Sequence, residues 1–220
     1  MQILGHGVYG LPEAAKLTRL NAHRVREWFR ERPRNETRRP VFRSDYRSVG
    51  GDRAISFHDL IELKIAGQLR DQGVSLQSLR KVHSQLQSEL ITRHPFCREE
   101  VLTDGKQVFT LGLDAENQAE MVEVLTHQRV FAEILLPFLK RLDYDDATRL
   151  ARRWCIADLV VIDPRINFGK PVVEDMGIST AILAAAYEAN DRDAERVADW
   201  YNVHSSHILA AVEFERSLAA

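Results

Sequence analysis

Eleven arginines and no lysine lie between Arg19 and Arg53: Arg19, Arg24, Arg26, Arg30, Arg32, Arg34, Arg38, Arg39, Arg43, Arg47 and Arg53. Five acids in the same stretch, Glu27, Glu31, Glu36, Asp45 and Asp52, leave it at +6. A guanidinium is a planar fork that pairs with phosphate or with guanine through two parallel hydrogen bonds. Arginine at this density therefore points to a polyanionic partner, nucleic acid first. The first eighteen residues balance and the whole chain carries −2, so residues 54–220 carry −8. The two ends of the chain are built for different partners.

Other reactive side chains are sparse. His94 and Cys97 lie three residues apart, as do His204 and His207, but neither pair has a second pair nearby to complete a zinc site. His83 falls on an apolar seam and reads as a core histidine with a satisfied ring. Asp143, Asp145 and Asp146 read as a solvated loop or helix cap, and Cys155, beside Trp154, as a buried thiol. There is no glycine-rich phosphate loop, no paired-histidine metal motif and no Cys-x-x-Cys. The expectation is a binding protein, not an enzyme, with no cofactor and no metal.

The elements that position the arginines can be read from spacing. Pro12 opens a short helix with Leu11, Ala14, Ala15 and Leu17 on its apolar side. Thr18 to Leu20 is a turn, and Asn21 caps a second helix running to about Arg30. Val25, Trp28 and Phe29 repeat at i, i+3, i+4 and face inward, which turns His23, Arg26, Glu27 and Arg30 outward with Arg24 on the flank. Pro33 stops the helix, and residues 40–53, rich in arginine and broken by Gly50-Gly51, suggest a β-ribbon or wing. Ser56 to Asp59 is a capping box with Ile55 and Leu60 as its hydrophobic staple. The helix it opens runs to Gly73, and Ser75 caps another with Leu76, Leu79, His83, Leu86 and Leu90 along one seam.

Tyr9 to Thr18, then Val25-Arg26-Glu27-Trp28, then Ile55 to Leu60, then Leu69 to Leu76, resembles the MerR-type winged helix-turn-helix in order and spacing over about the first ninety residues. The resemblance implies that the second helix enters the major groove and that Arg26 holds the DNA backbone. Glu27-Trp28 stands where that family has an aromatic pair. On this reading base edges are met by the start of the second helix, chiefly His23 and Arg24 beside Asn21. Arg26, Arg30 and the wing arginines Arg38, Arg39, Arg43 and Arg47 contact phosphate. A two-fold operator and a homodimer follow, the dimer segment being open among the Leu76–Leu90 seam, a hairpin and a later helix.

That hairpin is read at Val101 to Phe109 with Asp104-Gly105 at its turn. Gln118 to Leu142 reads as an amphipathic helix that Pro137 kinks or breaks. Leu159 to Ile162 is a short strand by composition, followed by a turn at Gly169-Lys170-Pro171. Three helices come after it: one capped at Ser179 and ending near Asn190, one capped around Asp193, and one capped by Ser205 or Ser206. The fold class is thus mainly α with small β elements. Three regions are expected: 1–92 with the winged helix-turn-helix, 93–155 with hairpin and linker helix, and 156–220 with small β structure and a helix-turn-helix-like three-helix bundle.

Between Cys155 and Ala220 there are eleven acids against five bases, a charge a DNA duplex would repel. The last helix offers Glu213 and Glu215 against Arg216. Ile162 to Ile166, Phe168 to Val173, Gly177-Ile178-Ser179 and Ala194 to Tyr201 resemble the small VapB-like antitoxin domains, although Phe168-Gly169 and Asp175-Met176-Gly177 replace that family's glycine pair and Gly-Thr-Arg segment. The resemblance implies a PIN-like ribonuclease toxin as partner, whose metal-binding carboxylates need a cationic RNA path that an acidic module complements. Inhibition would come from covering that path, or from a basic side chain, Lys170, Arg192 or Arg196, reaching the carboxylates; Glu213 belongs to the acidic face.

The sequence reading is therefore an antitoxin that binds operator DNA and represses its own transcription. Two other readings stand beside it: a MerR-like regulator responding to a small-molecule effector, and an adaptor that bridges proteins. The 220 residues carry ordinary hydrophobic content (45%) and two distant cysteines. The longest uncharged apolar stretch, Met176 to Tyr187, falls short of the ~20 residues a membrane span needs. A cytoplasmic location without membrane contact is the expectation.

Overall fold

A computed structural model describes residues 5–30, 41–46, 53–101 and 134–219. They belong to two compact units, Tyr9–Ala151 and a second made of Met1–Val8 with Arg152–Ala220. The described chain is mostly helical with small antiparallel sheets.

In the Tyr9–Ala151 unit, β1 (Tyr9–Gly10) pairs antiparallel with β2 (Ala54–Ile55) in the register Tyr9 to Ile55. Helix α1 (Leu11–Thr18) follows directly, with Pro12 in its first turn and Leu11, Ala14, Ala15 and Leu17 buried, as the spacing predicts. Its C-terminus closes on Arg19 at φ 57, whose N–H returns to the preceding turn, and Lys64 Nζ donates to the carbonyl of Thr18 at 3.0 Å. A cation there satisfies the last carbonyls and opposes the negative end of the helix dipole. Three residues on, α2 (Ala22–Phe29) begins under an Asn21 cap whose Oδ1 accepts from the His23 and Arg24 amides at 2.9 and 3.3 Å. Val25, Trp28 and Phe29 are buried.

Helix α3 (Phe57–Asp71) is opened by the expected capping box: Ser56 and Asp59 each accept the other's backbone N–H. It is buried on nearly every side, from Phe57, Leu60 and Ile61 through Leu63, Ile65 and Leu69. Gly67 lets the turn after α1 lie against it, since a Cβ there would meet the Leu20 side chain at 2.6 Å. Gly73, at φ +98, sits in the left-handed position that ends the helix. Ser75 then caps α4 (Leu76–Glu89), whose Leu79, Val82, His83 and Leu86 are buried. A 3₁₀ turn (Pro95–Cys97) packs beneath α3 and α4.

One sequence expectation changes at the end of the 118–142 stretch. Pro137 stands in the short helix α5 (Leu136–Leu139), directly after two residues, 134–135, in π-helical conformation, and Leu142 belongs to strand β3 (Leu142–Tyr144) instead of a helix; residues 118–133 lie outside the described residues. Of the expected wing, residues 41–46 and 53 are described, 41–46 without regular structure and with Val41 and Phe42 buried; the rest of that stretch, nearly all of the 101–109 hairpin and most of 118–142 lie outside the described residues.

In the other unit, β4 (Ala151–Ala157), β5 (Val160–Ile162) and β6 (Val172–Val173) run antiparallel in sequence order. The register places Trp154 opposite Ile162 and Val161 opposite Val172. Leu159 is not in the strand but in the left-handed turn before it, at φ 58. Helices α6 (Thr180–Ala189), α7 (Ala194–Tyr201) and α8 (Ser205–Ala219) follow. They enclose Val173, Leu183, Val197, Ala198, Ile208 and Ala211. Asp193 caps α7 as expected, accepting from the Arg196 amide at 3.0 Å. At α8 the cap is not a serine: the His204 ring nitrogen Nδ1 accepts from the Ser206 amide at 3.2 Å, and the helix already includes Ser205. Among the described residues no helix is long and apolar enough to cross a membrane.

Candidate functional site

Helix α2 turns its outer face to solvent as its apolar spacing dictates. His23, Arg26 and Arg30 are exposed and Arg24 and Glu27 half-exposed. The arginines on it are not equivalent. Arg24 Nη1 is 2.6 Å from Asp71 Oδ1, which ties α2 to the end of α3. Arg30 caps the helix C-terminus and lies 3.1 Å from Glu27. Arg26 makes no ion pair among the described residues. Arg38, Arg39 and Arg47 lie outside the described residues.

Arg43 sits elsewhere. The segment that carries it is pinned to α2, because the amides of Val41 and Phe42 both donate to the carbonyl of Trp28, at 3.0 and 3.3 Å. Phe42 packs edge-on against Trp28 and His83. Arg53, beyond this segment, donates to the carbonyl of Phe29. Arg43 then faces a cavity of about 560 Å³ whose far wall is α4. Arg80, His83, Ser84 and Gln87 line that wall at i, i+3, i+4, i+7, one face of a helix. Arg93 closes the rim, 3.3 Å from Asp45 and 67% exposed.

The floor of the cavity is a buried ionic cluster. Glu62, on α3, is 2% exposed and accepts from His83 Nε2 at 2.9 Å and from the Phe96 amide at 3.3 Å. His94 places Nε2 at 3.0 Å from Asp45 Oδ2 and Nδ1 at 3.5 Å from Glu62 Oε2. Burial disfavours the His94 cation, but the hydrogen bonds and charges of Asp45 and Glu62 outweigh it and raise its pKa to about 10. Burial would raise Glu62 too; His83 and His94 reverse that and bring it down to about 2. Asp45 is held well below the usual carboxylate range for the same reason, its burial overcome by His94, Ser56 and Arg93. Asp59, buried beside Asp45, moves the other way, to about 6. His58, buried and 5.2 Å from the His94 ring, falls to about 4 and donates to the carbonyl of Ala151 at 2.9 Å.

Asp45, Asp59 and His94 each bring one ligand atom within 4.8 Å of the others. A proton already does what a cation would do there: His94 is an imidazolium between two carboxylates, and Asp59 Oδ2 is taken by the amides of Ser56 and Asp45. The cluster therefore reads as structural. His83 is the satisfied core histidine the sequence suggested. Cys97 is fully buried and donates to the carbonyl of His58, whereas Cys155 is only half-buried. Asp143 lies in strand β3 instead of a loop, whereas Asp145 and Asp146 lie in the turn after it, where Asp145 accepts from the Thr148 amide and hydroxyl at 2.8 and 2.9 Å.

The four residues assigned to toxin binding lie in the Arg152–Ala220 unit. Lys170 is half-buried and donates to the carbonyl of Val8 at 3.4 Å. Arg192 is 2.8 Å from Glu188, which also holds Arg216 at 2.8 Å. Arg196 stacks over the Trp200 ring, 5.3 Å from its centroid. Glu213 is exposed on α8.

What sequence reasoning missed is apolar. Trp200, Ile182 and Leu209, one on each helix, are 58, 53 and 50% exposed. Phe168 is 57% exposed, two residues after Ile166 in the connection between β5 and β6, and Met176, 46% exposed, follows in the turn after β6. Asn167, Phe168 and Gly169 all stand at positive φ (47, 55 and 80). A left-handed backbone costs a residue with a Cβ roughly 1–2 kcal/mol, and such strain persists where surroundings or function demand it. No helical or strand periodicity marks a residue in a left-handed turn, which is why this position was not legible beforehand.

Three comparisons bear on these units. Residues 160–214 match the family described as a protein of unknown function, DUF433. The chain is 22% identical over 223 residues to the putative antitoxin VapB45 of Mycobacterium tuberculosis (strain ATCC 25618 / H37Rv), spanning 94% of this chain and 92% of that protein. Its fold is similar to the crystal structure of Rv2018 from Mycobacterium tuberculosis, with a TM-score of 0.70 and 20% identity over 93% of this chain and 96% of that one.

Proposed function

We propose that this protein is an antitoxin of a toxin–antitoxin pair: its C-terminal unit binds and silences a ribonuclease, and its arginine-rich N-terminal unit binds operator DNA to repress its own synthesis. The observation that carries the first half is the set of side chains that the C-terminal unit exposes. It joins net negative charge to exposed Phe168, Trp200, Ile182 and Leu209, large apolar side chains of the kind that anchor protein interfaces. Near-full-length similarity to a protein named as a putative antitoxin supports the same reading. Coverage of the RNA path suits this surface better than an inserted basic side chain, since Lys170, Arg192 and Arg196 are each occupied within the unit.

The exposed face of α2 supports the second half. Asn21 fixes the helix start, and His23 and Arg24 lie in the first turn, near the positive end of the helix dipole where a phosphate backbone is favoured, with Arg26 exposed further along the same helix. A two-fold operator calls for a homodimer.

The test is co-expression with the ribonuclease encoded beside it, followed by co-purification and an RNA-cleavage assay. A stable complex with blocked cleavage is expected; a ribonuclease that stays active beside the purified protein rejects the antitoxin reading. In parallel, affinity for the promoter duplex should fall on the order of a thousandfold between 50 and 200 mM salt if about six phosphates are neutralised. Flat salt dependence rejects the DNA half alone.

A further inference from the structure

We propose that the cavity between residues 41–46 and α4 is a binding site for a small phosphorylated anion, and that its occupancy is felt by α2. The cavity lies within the Tyr9–Ala151 unit, and the toxin-binding reading does not depend on it; only its effect on operator affinity rests on the DNA reading.

Three guanidinium groups, Arg43, Arg80 and Arg93, converge on it from different segments. Arg43 has no ion-pair partner among the described residues. At the floor Glu62 is already hydrogen-bonded to His83 and lies 3.5 Å from the His94 ring, and at the rim Arg93 stands 3.3 Å from Asp45. Guanidinium forks match phosphate oxygens two at a time. Ser84 and Gln87 add neutral hydrogen-bonding groups on the same helical face as Arg80. The volume, about 560 Å³, lies in the range of small-molecule sites and admits a ligand up to the size of a nucleotide. A duplex presents its phosphates on a convex rod, whereas this is a recess behind the segment that carries Arg43.

The connection to α2 is direct. Residues 41 and 42 hang from the carbonyl of Trp28 in the last turn of α2, and Phe42 packs between Trp28 and His83. A ligand that draws Arg43 toward α4 pulls on that turn. An effector shifts an equilibrium only by its differential affinity for the two states, and here the element that differs is the 41–46 segment.

The experiment uses the full chain, with inorganic phosphate, pyrophosphate and ADP as probes and adenosine as the uncharged control. Isothermal titration should show one saturable site for at least one anion, none for adenosine, and a rise in melting temperature with the same ligand. Arg43→Gln, at an exposed residue, and Ser84→Glu, which adds a negative charge on an exposed position of α4, should each weaken binding at least tenfold while the ligand-free melting temperature stays unchanged. Operator affinity should shift when the ligand is present. Overturning results are the absence of saturable binding by all three anions up to millimolar concentration, binding that both variants retain, or loss of duplex affinity in both variants without any small-anion binding, which would assign the recess to DNA. Co-purification of the ribonuclease is unaffected by either variant, so failure here is distinguishable from failure of the antitoxin reading.

Discussion

His94 and Asp45 are 49 residues apart in sequence, yet the imidazole Nε2 lies 3.0 Å from the carboxylate Oδ2, and both are mostly removed from water. This bond fastens the 3₁₀ turn to the segment that carries Arg43. Removing one member of a buried pair strands the other charge, which typically costs about 3–5 kcal/mol. His94→Gln should therefore lower stability by roughly 3 kcal/mol, read as a fall of about 6–12 °C in melting temperature for a chain of this size. A shift below 2 °C in a calorimetric scan would mean that the cluster is decorative.

The same cluster sets how stability depends on pH. His94 is raised to about 10, so its contribution is whole below 6.5 and is lost as pH climbs through 10. His58, lowered to about 4, takes a proton in the unfolded chain first and withdraws stability as pH falls from 6.5 to 4. Asp59, raised to about 6, acts in the opposite sense, adding stability as pH falls from 6 toward 3.8. These two oppose each other and leave a plateau between about pH 4 and 6.5. Below 4.5 the buried Glu62 and Asp45 lose their stabilisation progressively as pH falls toward their depressed folded-state pKa values, so stability should fall steeply on that limb. Melting temperatures across pH 3 to 10 should trace that plateau with a slow alkaline decline. His94→Gln should remove the decline; an unchanged alkaline limb in the variant contradicts the assignment.

On α2 the structure separates two arginines that sequence alone treats alike. Arg26 is exposed and without an ion pair among the described residues, whereas Arg24 holds Asp71. Arg26→Ala should weaken duplex binding about tenfold across all sequences and flatten the salt slope by about one, leaving the melting temperature unchanged. Arg24→Ala should cost affinity and up to about 1 kcal/mol of stability, because a partly exposed ion pair joins two helices there. Mobility-shift titrations at several salt concentrations, paired with thermal melts, distinguish the two. Equal effects of both variants on DNA and on stability would show that neither residue faces the duplex.

Helices proved legible wherever a cap and an apolar repeat agreed. Asn21, the Ser56–Asp59 box, Ser75, Gly73 and Asp193 all mark real helix ends. The inward trio of Val25, Trp28 and Phe29 fixes which arginines face out. The His204 cap was missed because serine is the commoner cap and an imidazole acceptor looks the same in sequence as any other histidine. The two-residue strands β1, β2 and β6 are too short to show alternation. The ionic cluster drew only single observations, since Asp45, Glu62, His83 and His94 come from four separate segments. One clue to the cavity was available: Arg80, His83, Ser84 and Gln87 share one face of α4. It was hidden because His83 was counted with the apolar seam.

Phe168 offers a way to separate stability from recognition. Its backbone stands at φ 55 between Asn167 and Gly169, both also left-handed, and its ring is 57% exposed. Glycine adopts that conformation without a Cβ penalty, so Phe168→Gly should stabilise the free protein, by up to about 1 kcal/mol once the added freedom of the unfolded chain is subtracted. The same change deletes the exposed ring. If that ring docks the ribonuclease, Phe168→Gly should weaken the complex by tenfold or more while the melting temperature holds or rises, the trade-off expected of a strained recognition residue. Phe168→Ala keeps the backbone strain and removes the ring, so it should lose binding without the gain in stability. A complex of unchanged affinity with both variants would place the partner on another surface, the α6–α8 helices with Ile182, Trp200 and Leu209 being the next to mutate.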